Sequence, residues 1–306
     1  MKYKNIITLR KIYKEGGNII DFLKKKSKNK SNTSEMIELA YDLQAGSYIK
    51  QVEKDICKKK VFIDEISKII SQYTCDGQTL LDVGTGELTV LSLMLKKIRT
   101  KFKKIYAFDI SWSRLYLGIK YANKLLGKKS NKIAVFVADL KQIPIKSKSI
   151  DVIVSNHALE PNGGDLKIIL RELFRICKKK LILIEPAYEL NTAKGKLRMK
   201  KSGYIRGLKR NIEMQGGKVI KIIPIINTRN SLNKTACYVI KPPSRIGLNL
   251  KKQTSKTFYT EPGSDLILKK KNNYWYSKCT GTAYVELEGI PILRQEYGIL
   301  ATAIMK

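Results

Sequence analysis

Two glycines, an acid just before them and three carboxylates further on are the residues of this chain best suited to chemistry. They are Asp82, Gly84, Gly86, Asp109, Asp139 and Glu160, and the only histidine, His157, stands three residues before Glu160. Glycine lets a backbone turn at positive φ and lets a ligand come close to it. The free N–H groups of a helix that starts there face an anion. Asp109 lies 23 residues beyond Gly86, where doubly wound folds place a carboxylate that accepts from two vicinal hydroxyls. Histidine has an unperturbed pKa of about 6.5 and is the natural general base, with Glu160 as the second candidate. Each residue also has a plainer use: a turn glycine, a capping aspartate, a core histidine.

The elements that must position these residues are legible from hydropathy. Residues 79–83 form a short apolar run of the kind found in buried parallel strands, followed by the glycines and by Leu88, Leu91, Leu95 and Ile98 at helical spacing. Strands are predicted at 104–110, ending on Asp109, at 132–137 before Asp139-Leu140, at 149–156 before His157, and at 180–184. Helices at 113–126 and from Leu166 to Phe174 alternate with them, the mark of a parallel α/β sheet. Basic helical residues from Leu197 to Met214 precede two β-rich runs, 219–226 and 235–240. Ahead of the glycines come a basic stretch to about residue 32, a helix capped by Ser34, the segment 41–48 and a helix over 56–70.

The glycine corner is neither a dinucleotide fingerprint, since Thr89 stands where the third glycine belongs, nor a P-loop, which needs a Gly-Lys-Ser/Thr ending. Asp82-Val83-Gly84-Thr85-Gly86 instead resembles the first motif of the class I S-adenosylmethionine-dependent methyltransferases. That family often carries a further glycine where this chain has Leu88. Glu87 would repel a cofactor carboxylate unless it points away. The resemblance runs over about residues 40–241 in family order. It implies S-adenosyl-L-methionine as cofactor, bound by Asp82, Gly84, Gly86, Asp109 (ribose), Asp139 and Leu140 (adenine), Asn156 and Tyr48, whose ring would pack over the sulfonium. His157 and Glu160 fall where the family places substrate-facing residues, and no metal is implied.

The fold class expected is α/β: a doubly wound Rossmann-like seven-stranded sheet with a terminal antiparallel strand, an N-terminal helical extension and a small C-terminal β-rich domain. The boundaries read as 1–75 for the extension and cap, 76–242 for the methyltransferase core, 243–257 for a linker and 258–306 for the small domain. Tyr284 to Gly289-Ile290-Pro291 resembles the end of a zinc-ribbon-like methyltransferase-activator domain, degenerate here because only Cys279 lies in the right region.

The net charge of +34 from 60 Lys and Arg against 26 Asp and Glu suits an anionic partner such as nucleic acid. Against that, the lysines sit in short dispersed runs, and arginine, the better residue for bidentate phosphate contacts, is scarce. Five scattered cysteines without a C-x-x-C argue against a disulfide framework or zinc ribbon. No apolar run approaches eighteen residues and no signal-peptide pattern opens the chain, so a cytoplasmic protein without a transmembrane segment is expected. A small-molecule or glycan-type acceptor is favoured. RNA methylation, or nucleic-acid binding without turnover, is the alternative.

Overall fold

The computed structural model describes residues 6–27, 31–228, 230–244 and 258–305. The stretch 245–257, most of the expected linker, lies outside the described residues. Helices α1 (Ile6–Lys14), α2 (Ile19–Ser27) and α3 (Ser34–Leu43) pack together around Leu9, Ile19, Leu39 and Ala40. The N-cap of α3 is Thr33, whose hydroxyl accepts from Met36 N–H, so the cap sits one residue earlier than Ser34. Both are hydroxyl residues, and the sequence alone could not choose between them. Then follow α4 (Ser47–Lys54) and α5 (Ile56–Ser71), which deliver the chain to the sheet.

The core alternates β1 (Thr79–Val83), α6 (Thr89–Lys97), β2 (Lys104–Asp109), α7 (Trp112–Leu126), β3 (Ile133–Val137), β4 (Ile150–Asn156), α8 (Leu166–Ile176) and β5 (Cys177–Pro186). The helical stretch expected up to Met214 is two helices, α9 (Ala193–Ser202) and α10 (Leu208–Met214). Gly203 and Gly207, both at positive φ, break it between them. Strands β6 (Lys218–Pro224) and β7 (Thr235–Lys241) complete a seven-stranded sheet of order β3-β2-β1-β4-β5-β7-β6. β1 to β5 pair in parallel, whereas β7 runs antiparallel to both β5 and β6. The strand order reverses beside β1, which puts a binding crevice at the carboxyl ends of β1 and β4.

The C-terminal segment forms a second, antiparallel sheet of β8 (Leu268–Lys271), β9 (Tyr274–Ser277), β10 (Thr282–Leu287), β11 (Ile290–Pro291) and β12 (Ile299–Leu300). Its Tyr259, Leu268, Tyr284 and Leu293 belong to the same buried cluster as Leu81, Val83 and Phe136 of the large sheet. Phe258 stacks on Tyr106 with ring centroids 3.8 Å apart. The small sheet therefore shares its core with the edge of the large one. Among the described residues no helix is long and apolar enough to cross a membrane.

Leu88 has φ 52°, the left-handed conformation that favours glycine. It tolerates this because its side chain is buried against α7 at Gly118, where a Cβ would lie 2.5 Å from Leu88 Cδ1. Leu88→Gly should relieve about 1 kcal/mol of backbone strain. It would also lose the burial of a leucine, about 2–5 kcal/mol. The net expectation is a destabilisation of about 2 kcal/mol, measurable as a lower denaturant midpoint at unchanged slope.

Candidate active site

Parallel register brings the ends of β1, β2, β3 and β4 to one edge of the sheet, and a cavity of about 870 Å³ opens there. Asp82, Gly84, Gly86, Asp109, Asp139, Leu140, Asn156, His157, Glu160 and Tyr48 all line it. These are all of the residues singled out from the sequence. Gly84 has φ 61°, and a Cβ on it would meet Ala158 Cβ at 2.4 Å, so the turns after β1 and β4 touch through the missing side chain. Gly86, at φ 58°, gives its N–H to Asp109 Oδ2 at 2.9 Å, while Ser111 N–H donates to Asp109 Oδ1 at 2.9 Å. Asp109 thus braces the glycine turn while facing the cavity. Burial raises its pKa, and Arg114 and the backbone donors work against that rise.

Asp82 accepts from Thr85 Oγ1 at 2.6 Å, and burial pushes its carboxyl up to about 7. Asp139 Oδ1 accepts from Lys141 N–H at 2.8 Å, so one oxygen caps the turn that shapes the cavity wall. Glu87 does point away from the glycine turn. Its carboxylate accepts from the N–H groups of Gly46, Tyr48 and Ile49 at 3.0, 3.4 and 2.8 Å and closes the N-terminus of α4.

Arg114 is a site residue that sequence reasoning missed. It is buried, its Nε donates to Tyr41 O at 3.0 Å, and its guanidinium lies between the rings of Tyr41 and Tyr48 at 4.4 and 4.5 Å. The cation over Tyr48 is therefore the chain's own. Among the described residues its Nη2 has no hydrogen-bond partner, and Nη1 lies 3.5 Å from where a Cβ on Gly86 would be. A buried guanidinium with an idle donor beside an anion-binding turn fits a carboxylate ligand. An arginine five residues past a strand-end acid was the only signal available, and it looks like any other helix arginine.

His157, at φ 56°, turns the chain sharply after β4. Its Nδ1 lies 2.5 Å from Glu160 Oε2 and its Nε2 lies 3.1 Å from Thr235 Oγ1. Burial alone would lower the histidine pKa, but the hydrogen bond and charge of Glu160, with Glu185 behind, raise it on balance. Glu160 is lowered: burial works against this, and His157, Tyr204 and Asn233 outweigh it. Asn233 and Thr235, from the start of β7 and the loop before it, also line the cavity.

Behind this pair, Glu185 is fully buried and its Oε1 accepts from Ser155 Oγ and from the N–H groups of Ala158 and Leu159, at 2.8, 3.0 and 3.1 Å. Burial raises it to about 7. A carboxyl raised on folding holds its proton longer in the folded state, so its contribution to stability is lost as pH rises from the unfolded value towards 7. Glu185→Gln keeps the accepting oxygen and removes the titration. The melting temperature of the variant relative to wild type should rise between pH 5 and pH 7 in a calorimetric series.

The family model of the methyltransferase domain matches residues 81–184, from the middle of β1 to the end of β5. No curated protein matches the chain by sequence. Among solved structures the chain resembles a SAM-dependent methyltransferase from Aquifex aeolicus, at 21% identity over 57% of this chain and 88% of that one, with a TM-score of 0.44. It also resembles magnesium protoporphyrin IX methyltransferase from Synechocystis PCC 6803 with bound SAH, at 17% identity over 62% and 86% of the two chains, TM-score 0.48. A third is geranyl diphosphate C-methyltransferase from Streptomyces coelicolor, at 10% identity over 58% and 80%, TM-score 0.46. Residues 81–184 are therefore similar to a methyltransferase domain.

Proposed function

We propose that the chain transfers a methyl group from S-adenosylmethionine to a small-molecule or carbohydrate-linked acceptor in the cytoplasm. The observation that carries this reading is the convergence of the Asp82–Gly86 turn, Asp109, Asp139-Leu140 and Asn156-His157 on one cavity. Gly84 lets the turn after β1 close against Ala158, Gly86 takes the positive φ that shapes the turn, and Arg114 offers its idle N–H to the methionine carboxylate. Asp109 takes the ribose hydroxyls, and Asp139 with Leu140 holds the adenine. Asn156 and Tyr48 complete the pocket, Tyr48 contributing through the arginine it stacks on. When bound, the cofactor supplies an electrophilic methyl group on a sulfonium.

The residues of the chain then align the acceptor and take its proton. With Nδ1–H given to Glu160, the basic lone pair of His157 is on Nε2. Thr235 Oγ1 touches that nitrogen but also reaches Asn233 O at 3.1 Å, so it can turn to the carbonyl and leave Nε2 for the acceptor hydroxyl. Asn227, Asn230 and Asn233 line the same side of the cavity, and amides both donate and accept as sugar hydroxyls require. A volume of about 870 Å³ is ample for a cofactor and a small acceptor together. Equilibrium dialysis should show binding of labelled S-adenosylmethionine and none of NAD. Cell extract incubated with enzyme and labelled cofactor should yield label in a small, nuclease-resistant fraction. Nuclease-sensitive label would transfer the assignment to RNA.

A further inference from the structure

The helix that roofs the cavity is tied to the C-terminal sheet by a buried charge. Arg294 is 1% exposed, and its Nη1 lies 2.6 Å from Glu38 Oε2 on α3. Tyr297 Oη donates to Glu38 Oε1 at 2.5 Å, and the Arg294 guanidinium sits over the Tyr297 ring. Arg294 also pairs with Glu296. Just before it, Leu293 N–H donates to Val137 O at 2.9 Å and Ile292 bridges Val137, the last residue of β3 before Ala138-Asp139-Leu140. One short C-terminal segment therefore grips two walls of the cavity.

The α3 wall matters because Glu38 lies one turn ahead of Tyr41 and Asp42. Tyr41 holds Arg114 through its carbonyl and ring. Asp42 accepts from the hydroxyls of Ser111 and Ser113, each at 2.8 Å, and so fixes the start of α7. Burying a guanidinium carries a large desolvation penalty, and an apolar side chain could fill the same space without it. What the ion pair adds is one fixed position of the helix relative to the sheet.

We propose that Arg294 and Glu38 form a latch through which the C-terminal sheet positions α3, and with it Tyr41 and Arg114, over the cofactor. Arg294 is a positioning residue that does not touch the cofactor. The proposal rests on the cofactor reading above, and its test separates the two. If an open α3 leaves about a tenth of molecules competent, affinity falls about tenfold.

The test compares wild type with Arg294→Met, Glu38→Gln, the double variant and Arg294→Lys. Hydrogen exchange over residues 34–43 and 79–83 is measured, together with calorimetric affinity for S-adenosylmethionine. Arg294→Met should speed exchange across 34–43 while 79–83 stays protected, and should weaken cofactor binding about tenfold. Glu38→Gln should act in the same direction, the double variant should be little worse than either single one, and Arg294→Lys should restore part of the affinity. Wild-type exchange over 34–43 in Arg294→Met overturns the latch whatever the cofactor does. Equal loosening of 34–43 and 79–83 overturns it too, since that is general destabilisation. Failure of the wild type to bind S-adenosylmethionine overturns the functional reading, and the exchange data still judge the latch. If Arg294→Met does not fold, Tyr297→Phe replaces it and should loosen 34–43 in the same pattern to a smaller extent.

Discussion

His157→Ala should lower turnover by about 10²–10⁴-fold and leave affinity for S-adenosylmethionine near its wild-type value. The residue pairs with Glu160 at 2.5 Å on the side of the cavity proposed for the acceptor, apart from Asp109 and Arg114, which are proposed to hold the cofactor. The pH dependence gives a second readout. A general base works deprotonated, and the pKa of His157 is raised, so activity should climb with pH through a midpoint above 6.5. Glu160→Gln removes the main group that raises it and should move that midpoint to lower pH. Stability follows the same pair with its own sign. The contribution of His157 is complete below its unfolded pKa and is lost as pH rises through the folded one. The contribution of Glu160, whose folded pKa is lowered, is present above its unfolded pKa and lost as pH falls through the folded value. Full turnover in His157→Ala with normal cofactor binding would assign the histidine to shaping the turn after β4.

Asp109→Ala should weaken cofactor binding by about ten- to a hundredfold, the loss of a charge-assisted contact worth roughly 1.5–3 kcal/mol. The same change leaves the N–H groups of Gly86 and Ser111 without their acceptor, so the glycine turn should loosen together with the loss of the proposed ribose contact. Asp109→Asn keeps an acceptor for one of those donors and should bind more tightly than the alanine variant. Calorimetric titration with S-adenosylmethionine, with circular dichroism as the check on folding, measures both. Unchanged affinity in a folded Asp109→Ala protein would remove the ribose assignment.

The sheet was legible because its inner strands are short apolar runs, several of them closed by a glycine turn or a polar residue. β1 ends beside the glycines, β2 on Asp109 and β4 on Asn156, and parallel pairing brings those ends together. What the sequence concealed lies between distant segments. Glu87 reads as an acid at the start of α6, yet its partners are the amides of α4 some 40 residues earlier, as in the Ile49 bond 38 positions away. Arg114 reads as a helix arginine, and only the fold sets it between Tyr41 and Tyr48. The break between α9 and α10 needed the positive φ values of Gly203 and Gly207, which two glycines in a basic stretch do not announce. Leu88 holds a conformation that favours glycine because a neighbouring residue, Gly118, vacates the space for its side chain.

The last strands also govern how the chain reaches its native state. Tyr259 packs on Phe136 and Leu293 N–H bonds Val137 O, so the apolar edge of the sheet at β3 stays open until these much later residues arrive. Contacts so far apart in sequence carry a high loop-closure cost and slow the search. During synthesis, Phe136, Ile143 and Ile145 leave the ribosome well before the residues that cover them. A nascent chain halted after β7 would display that apolar edge to solvent, a surface suited to chaperones and prone to self-association.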